Sequence, residues 1–451
     1  MTTYNAASLF ARIRGLYRRQ DATYEQVSQH PGAVALPPDS LGPSLSRRYD
    51  DDEVKADEGE SLLPLSVTQS TSRSSRNRMN IGLKITIAAM LLLVAVGVAE
   101  LIIRASHETN HLEVSASTPP TFNTSLGCTT APFIYTGVPA LFSSVVDPKQ
   151  AGHAIDFLGG TPGTITVHQA PPNETEVSYE MTLRTNDESL LEQVSVDFLD
   201  SRVLVSTPSL ASSSSSSSHI CARFDVKMYV PWNLKKLHIA SHTPTQILFD
   251  EHSALVLDRL YVTLFALSSK NLIIAHANIH ATHLALETYN GWITGEASIV
   301  EETVVSTQRG GGSVKLQVTP APPPPGAKSP SSGETSTNPS PRTALFETST
   351  GSGTTEVTFI SSSDRTRPFR AEHRSSMNGD VILNYEQARF NGMLWLDTKT
   401  SKLRGVHKLV EEGDKAEEER EKADGWTHFA GDRHGGDVVY VSSRGWTGLT
   451  I

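Results

Sequence analysis

The stretch Thr288-Tyr289-Asn290-Gly291-Trp292-Ile293 joins a hydroxyl residue, an Asn-Gly pair and an aromatic and β-branched pair within six positions. Asn-Gly supplies the positive φ angles of a tight corner, so the stretch predicts a strand end, a corner and the start of another strand. The same order of Ser or Thr, small turn, and aliphatic, β-branched or aromatic residue returns further along the chain. It is found at 307–314, 376–381, 400–403 and 443–446.

These corners recur at a nearly constant spacing. Gly291 and Gly312 are 21 residues apart. Gly379 and Ser401 are 22 apart, and Ser401 and Gly445 are 44 apart, which is twice 22. A period of about 20 to 25 residues indicates a solenoid, in which each turn of chain buries its apolar face by stacking on a neighbour. An antiparallel sandwich whose hairpins use Asn-Gly is the alternative.

Short runs of alternating apolar and polar residues, such as 164–167 and 224–230, support a mainly β fold. A period of two over such lengths is typical of half-buried strands. We therefore predict a β-solenoid, or β-helix-like, ectodomain over residues 131–451. Polar low-complexity segments cannot bury enough apolar surface to order themselves, so three of them are expected to loop out between turns. They lie near 212–218, 320–341 and 411–424.

An apolar run at 85–99 continues through Leu101 to Ile103 after the single carboxylate of Glu100. A bilayer core requires a hydrophobic helix of roughly 20 residues, which predicts one transmembrane helix at 81–103. A secretory signal peptide or a buried core helix is the alternative, but about eighty mostly polar residues precede this run. Lys and Arg are in excess on its N-terminal side, which predicts a type II signal anchor with a cytosolic N-terminus. They are Arg73, Arg76, Arg78 and Lys84.

Sequons and cysteines agree with a lumenal or extracellular C-terminal region. Asn123 and Asn173 begin N-x-S/T sequons beyond the predicted span and are candidate glycosylation sites. Cys128 and Cys221 are the two cysteines of the chain. In an oxidising compartment one disulfide is the simplest use of two cysteines, and it would stabilise the fold by roughly 4 kcal/mol. Two free buried thiols are the alternative.

Residues 1–80 are rich in Ser, Pro, Arg and acidic residues, which predicts a disordered cytosolic tail. Within it, Glu58 stands four residues before the pair Leu62 and Leu63, the pattern of an acidic dileucine sorting signal for a clathrin adaptor. Such a signal would direct the protein to endosomes or a vacuole. Residues 104–130 are predicted to form a stalk before the ectodomain.

Composition and motifs argue against several function classes. A formal net charge of -10 and a pI near 5.9 do not favour nucleic-acid binding. His276, His280 and His283 form the strongest candidate metal group, but no Cys or carboxylate completes it, so ordinary surface histidines are the preferred interpretation. The sequence has no G-x-S-x-G elbow, P-loop or dinucleotide fingerprint, so we assign no catalytic, cofactor or metal residue.

The segments 284–295, 378–381 with 390–392, and 439–445 resemble the repeats of the putative adhesin domain family. That family is a β-solenoid family of unknown biochemical function, and the whole chain resembles single-pass fungal membrane proteins that carry such a domain. The resemblance covers residues 235–451 well and 155–235 poorly, and Ser401 stands where the family usually has Gly. It implies a fold more than an activity.

Together these features predict an integral membrane protein of the secretory pathway, at the plasma membrane, an endosome or a vacuole. The expected role of its ectodomain is non-catalytic binding of a glycan or protein ligand, or a structural contact. The alternative is a carbohydrate-active enzyme, a polysaccharide lyase or hydrolase, on a solenoid scaffold. Carboxylates that converge in a groove would favour that enzyme.

Overall fold

The computed structural model describes residues 118–209, 220–322, 343–361, 367–409 and 425–451. The predicted tail with Glu58, Leu62 and Leu63, the predicted span and nearly all of the three polar segments lie outside these ranges. Within them, no helix has both the length and the hydropathy needed to cross a membrane.

The described residues form 24 strands and two short 3₁₀ helices, Thr124–Leu126 and Glu188–Gln193, which confirms the predicted mainly β class. The first strands are β1 Phe133–Ile134, β2 Leu141–Ser144, β3 Gly152–Leu158, β4 Gly163–Gln169, β5 Val177–Thr185, β6 Ser195–Leu199, β7 Arg202–Ser206 and β8 Ala222–Val230. The next are β9 Lys236–Ser241, β10 Thr245–Phe249, β11 Leu255–Leu264, β12 Leu272–Ala275, β13 Ile279–Thr288, β14 Trp292–Ile299, β15 Glu302–Thr307 and β16 Ser313–Pro320. The last are β17 Ala344–Thr350, β18 Thr355–Ile360, β19 Phe369–Ser375, β20 Val381–Gln387, β21 Gly392–Arg404, β22 His407–Lys408, β23 His428–Ala430 and β24 Asp437–Thr450.

Two parallel sheets contain most of these strands. In sheet A the parallel order is β7, β3, β9, β11, β13, β15, β17, β19, β24 and β21. In sheet B it is β8, β4, β10, β12, β14, β16, β18, β20, β24 and β21. Each coil of chain contributes one strand to sheet A and, after a corner, one to sheet B. This parallel pairing is what a solenoid requires, and it differs from the pairing of an antiparallel sandwich.

The coils do not follow chain order at either end of the stack. The coil of β3 and β4 lies between the later coils β7–β8 and β9–β10. At the other end, β24 lies between the coil of β19–β20 and β21, and it pairs with both. Antiparallel strands then cover the outer edges, with β5 on β8, β6 on β7 and β23 on β21. Covered edges protect the stack from pairing with other chains.

The predicted Ser and Thr positions close the corners between the two sheets. Thr288 Oγ1 donates to the carbonyl of Asn290 at 2.7 Å, and Thr307 Oγ1 donates to the carbonyl of Gly312 at 3.0 Å. Thr288 and Thr307 are register partners on neighbouring strands. Both hydroxyls are buried, and each bond satisfies the hydroxyl and a turn carbonyl at once. In the third phrase the closing residue is Ser375, not Ser376 as the sequence suggested.

Glycines stack at the same corner because successive coils approach too closely for a side chain. A Cβ at Gly353 would collide with the carbonyl oxygen of Gly312, and a Cβ at Gly445 with that of Gly379. Gly291 has the expected positive φ of 125°, whereas the need for Gly379 comes from close approach rather than from φ. The predicted register at Ser401 is wrong. This residue pairs with Thr447 inside sheet B, past the corner, because β24 is inserted beside β21.

The core lies between the two sheets. Inward positions alternate with outward ones along each strand, as period-two patterning predicts. One inward column runs through Val262, Leu286, Val305 and Thr348 to His373. Its aliphatic part is fully buried, and its two polar members bond to each other. The fold therefore presents its outward side chains as straight ladders on two opposite faces.

Candidate functional site

The outer face of sheet A carries a ladder of polar and aromatic side chains near the C-terminal end of the stack. Glu347 on β17, Glu372 on β19, Tyr440 on β24 and Trp395 on β21 are successive register partners. Neighbouring strands lie about 4.8 Å apart, so the four side chains form one continuous row. Only the insertion of β24 places Tyr440 between Glu372 and Trp395.

Two arginines on β19 hold Glu372 in place. Arg370 donates to Glu372 Oε1 from Nη2 at 2.7 Å, and Arg374 donates to Oε2 from Nη2 at 2.7 Å. The Glu372 side chain is only 14% exposed, so these charge-assisted bonds are partly shielded from water. Both carboxylate oxygens are thereby engaged. Arg370 also places its guanidinium carbon 4.6 Å from the centre of the Tyr440 ring, a cation–π contact.

Trp395, Tyr440 and Trp426 form what we call the aromatic platform. The ring centres of Trp395 and Tyr440 are 6.2 Å apart, and those of Trp426 and Tyr440 are 5.1 Å apart. Trp426 lies two residues before β23, the antiparallel strand that covers the edge of β21. All three residues are partly exposed. Partly exposed aromatic rings on rigid strands offer apolar faces for stacking at little entropic cost.

Glu347 is the carboxylate of this ladder that has no hydrogen-bond donor among the described residues. Burial raises the pKa of the Glu347 carboxyl above its ordinary value, with Arg374 opposing the shift and Glu372 and Glu302 adding to it. Glu302 itself lies 3.0 Å from Nδ1 of His283. A half-buried carboxyl beside the platform is therefore available to accept or donate a hydrogen bond to a ligand.

The histidines singled out in the sequence do not converge. His276 follows β12 in a turn, where its Nδ1 accepts from the backbone of Asn278 at 3.3 Å. His280 is exposed on β13, and His283 on the same strand pairs with Glu302. No group of three or more His, Cys, Asp or Glu residues within the described ranges has the geometry to hold a metal ion.

The two cysteines form the predicted disulfide, with Cα atoms 5.7 Å apart. Cys128 belongs to the segment 121–129, which the sequence assigned to the end of the stalk but which lies against the outer face of sheet B. Arg223, fully buried on β8, donates to the carbonyls of Asn123 and Gly127 at 2.8 and 3.0 Å. Gln246 on β10 donates to Ser125 Oγ at 2.7 Å. We call this segment the strap.

The two predicted glycosylation sites are both exposed residues. Asn123 lies in the strap, where its Oδ1 accepts from Arg223 and its Nδ2 bonds to none of the described residues. Asn173 lies in the turn between β4 and β5. Glycosylation of either residue stays a prediction.

Comparison of the sequence with protein families and with curated proteins finds no match. Among solved structures the chain is similar to a putative cell adhesion protein from Clostridium sporogenes, with 9% identity, 69% of this chain and 98% of that chain covered, and a TM-score of 0.21. A putative adhesin from Parabacteroides distasonis matches with 11% identity, 68% and 96% coverage and a TM-score of 0.30. One from Parabacteroides merdae matches with 14% identity, 54% and 92% coverage and a TM-score of 0.20. Similarity at this level assigns neither a family nor a function.

Sequence reasoning did not identify the ladder around the platform. The alternating Arg370-Ala371-Glu372-His373-Arg374 is a usable signal, because it places three charged residues on one face of a strand. Tyr440 and Trp395 gave no comparable signal, since their adjacency depends on the exchanged order of β21 and β24.

Proposed function

We propose that this chain is a membrane-anchored, non-catalytic binding protein whose β-solenoid ectodomain binds a glycan at the aromatic platform. The observation that carries the proposal is the ladder Glu347, Glu372, Tyr440 and Trp395 with Arg370 against it. The repeats resemble those of an adhesin-like solenoid, and non-catalytic binding fits that class.

A polyhydroxylated ligand fits this chemistry better than an apolar or a cationic one. Indole faces stack on the apolar face of a sugar ring, while a carboxyl and guanidinium groups bond to its hydroxyls. A cationic ligand would meet Arg370, which already covers Tyr440. The four side chains of the ladder stand in one row with the strand spacing of about 4.8 Å, so a ligand of several sugar units can contact them in succession.

Binding can be measured by titrating soluble neutral oligosaccharides into the detergent-solubilised full chain. We use gluco-, manno- and N-acetylglucosamine oligomers as probes and calorimetry as the readout. Trp395→Ala is expected to weaken binding by about tenfold, because a lost stacking contact corresponds to about 1.5 kcal/mol. Trp292→Ala, on the outer face of sheet B, is the matched control and should bind like the parent protein. Equal loss in both variants, or no binding by the parent, would refute the proposed site.

The pairing of the nearby carboxylates disfavours the enzyme alternative. Glycoside hydrolysis commonly needs two carboxyls in acid, base or nucleophile roles. Glu347 has no ion-pair partner in the described part of the chain, but Glu372 is held by two arginines and Glu302 by His283. We expect no new reducing ends when the oligosaccharides are incubated with the protein. If reducing ends do appear and Glu347→Gln abolishes them while Glu356→Gln does not, the protein is a hydrolase.

The anchor, orientation and trafficking belong to the same proposal. We infer a type II topology from the apolar run and its basic flank, and delivery to a secretory compartment from the dileucine pattern and its clathrin adaptor. Glycosidase treatment combined with protease protection in intact membranes tests the topology. A protected, glycosidase-sensitive ectodomain supports the type II topology, whereas an exposed, unglycosylated ectodomain indicates the opposite orientation. Unchanged localisation of a Leu62→Ala, Leu63→Ala variant would refute the sorting signal.

A further inference from the structure

The turn that holds Asn173 crosses over one particular strand end. In sheet B, β8 lies between β4, with which it is parallel, and β5, with which it is antiparallel. The connection from β4 to β5 therefore has to pass over the end of β8. That end continues into Pro231, Trp232 and Asn233. The sequon and Trp232 are brought together by this topology, although they are 59 residues apart in the sequence.

Hydrogen bonds hold the two segments against each other. The amide of Ala170 donates to the carbonyl of Val230 at 2.9 Å. Asn233 Nδ2 donates to the carbonyl of Thr175, the sequon threonine, at 3.1 Å. Asn173 is exposed in the turn between these two points. Asn173 and Trp232 therefore lie on two connections that are bonded to each other at the end of β8.

Trp232 is unusually exposed for its size. Its side chain is 64% exposed, and Val256 is 59% exposed. Both line a cavity of about 100 Å³, whose other lining residues include Leu257 and Gln169. Exposed apolar surface of this kind costs free energy in water and commonly marks a contact.

We propose that an N-linked glycan on Asn173 folds back on this surface and stacks its first N-acetylglucosamine residues on Trp232. The sugar's apolar face covers the indole and Val256, and its polar groups face Gln169 and water. The inference rests on the proposed function in one respect, since it needs the ectodomain to pass through the secretory lumen.

Attachment of the glycan forms a bond between Asn173 Nδ2 and the anomeric carbon of the first sugar. It breaks the bond from that carbon to a lipid-linked pyrophosphate donor and releases the amide proton with the lipid pyrophosphate.

Hydroxyl-radical oxidation of Trp232 in the folded, full-length glycoprotein tests the proposal. Mass spectrometry compares oxidation before and after enzymatic removal of the glycan, so no variant has to fold without it. We expect a several-fold rise in Trp232 oxidation after removal and none at Trp292, on the same sheet but distant from the turn. Asn173→Gln should reproduce the rise, and Asn123→Gln should not.

Equal oxidation of Trp232 with and without the glycan would overturn the proposal, and so would an unmodified Asn173 in a lumenal ectodomain. Oxidation that depends on protein concentration instead of on glycosidase would assign the surface to a second copy of the chain. Protease protection and the state of Asn123 report the topology independently, so failure of the anchor and failure of the glycan contact are distinguishable.

Discussion

His373 and Tyr385 share a hydrogen bond of 2.8 Å between Nε2 and the phenol oxygen, across the core from sheet A to sheet B. Thr348 binds the other ring nitrogen at 2.8 Å. Burial lowers the pKa of His373 from 6.5 to about 3 and raises that of Tyr385. At the opposite end of the stack, burial lowers the pKa of His153 to about 4 beside Tyr179. Both histidines are therefore neutral in the folded protein near pH 7.

These two histidines should make the fold sensitive to mild acid. The folded pKa lies below the unfolded value of 6.5, so the unfolded chain binds more protons as the pH falls below 6.5. Their contribution to stability is complete above pH 6.5 and declines toward the folded pKa. When the pH falls from 7.5 to 5.5, each histidine should lower the free energy of unfolding by about 1.4 kcal/mol. Urea unfolding at the two pH values measures the loss.

Removing one buried histidine should reduce this pH dependence by the contribution of that histidine, about 1.4 kcal/mol between the two pH values. His373→Gln and His153→Gln are two independent variants, and His280→Gln, at an exposed position, is the control that keeps the full dependence. If the free energy of unfolding changed with pH by the same amount in the parent, both variants and the control, other groups would set the acid response.

Arg223 should stabilise the packing of the strap on sheet B. It is fully buried, bonds to Asp225 and donates to two strap carbonyls. Arg223→Ala removes the buried guanidinium with all of these hydrogen bonds and leaves a cavity between β8 and the strap, so we expect a loss of about 3 kcal/mol or more in urea unfolding. Arg404→Ala is the control, since this side chain is 81% exposed and 3.9 Å from Glu386, and should change stability by less than about 0.5 kcal/mol. Similar losses in both variants would contradict a specific role for Arg223.

The glycines stacked at the corner predict very different effects of alanine substitution at two neighbouring turns. Gly353→Ala would drive a methyl group into the carbonyl of Gly312, and a backbone carbonyl cannot move aside easily. We expect a loss of about 3 kcal/mol, seen as a lower thermal midpoint. A Cβ at Gly311 meets nothing within 4 Å, so Gly311→Ala should be nearly neutral. A mild effect of Gly353→Ala would mean that the coils separate readily at this corner.

The inserted terminal strand should be among the stable parts of the molecule. Chain ends usually fray, but β24 pairs on both sides, with β19 and β20 on one side and β21 on the other. In native-state hydrogen exchange, the amides of Val439 and Val441 should be as protected as those of β19. Exchange of β24 before β21 would indicate that the last coils are stacked in chain order.

Local patterns in the sequence carry much of the fold. The alternation in strands such as β17 and β19 follows from one buried face, and the hydroxyl-turn phrases at Thr288 and Thr307 mark real corners. The count of two cysteines also limits an intramolecular disulfide to Cys128 and Cys221, and the fold decides that they bond. The order of the coils does not follow, because adjacent coils have similar ladders and a local pattern does not encode which neighbour is chosen.

The sequence by itself determined the strand class and the corner chemistry, since each depends on residues close together in the chain. The tertiary structure decided that Cys128 and Cys221 bond, because it brings their Cα atoms to 5.7 Å. Only the tertiary structure decided that β24 enters between β19 and β21, and with it the platform of Trp395, Tyr440 and Trp426. It likewise decided that the Asn173 turn crosses the end of β8, which continues into Trp232. Both juxtapositions arise because the strands at the ends of the stack do not follow chain order. Hydrogen bonding and burial over the whole sheet select the partner strand there.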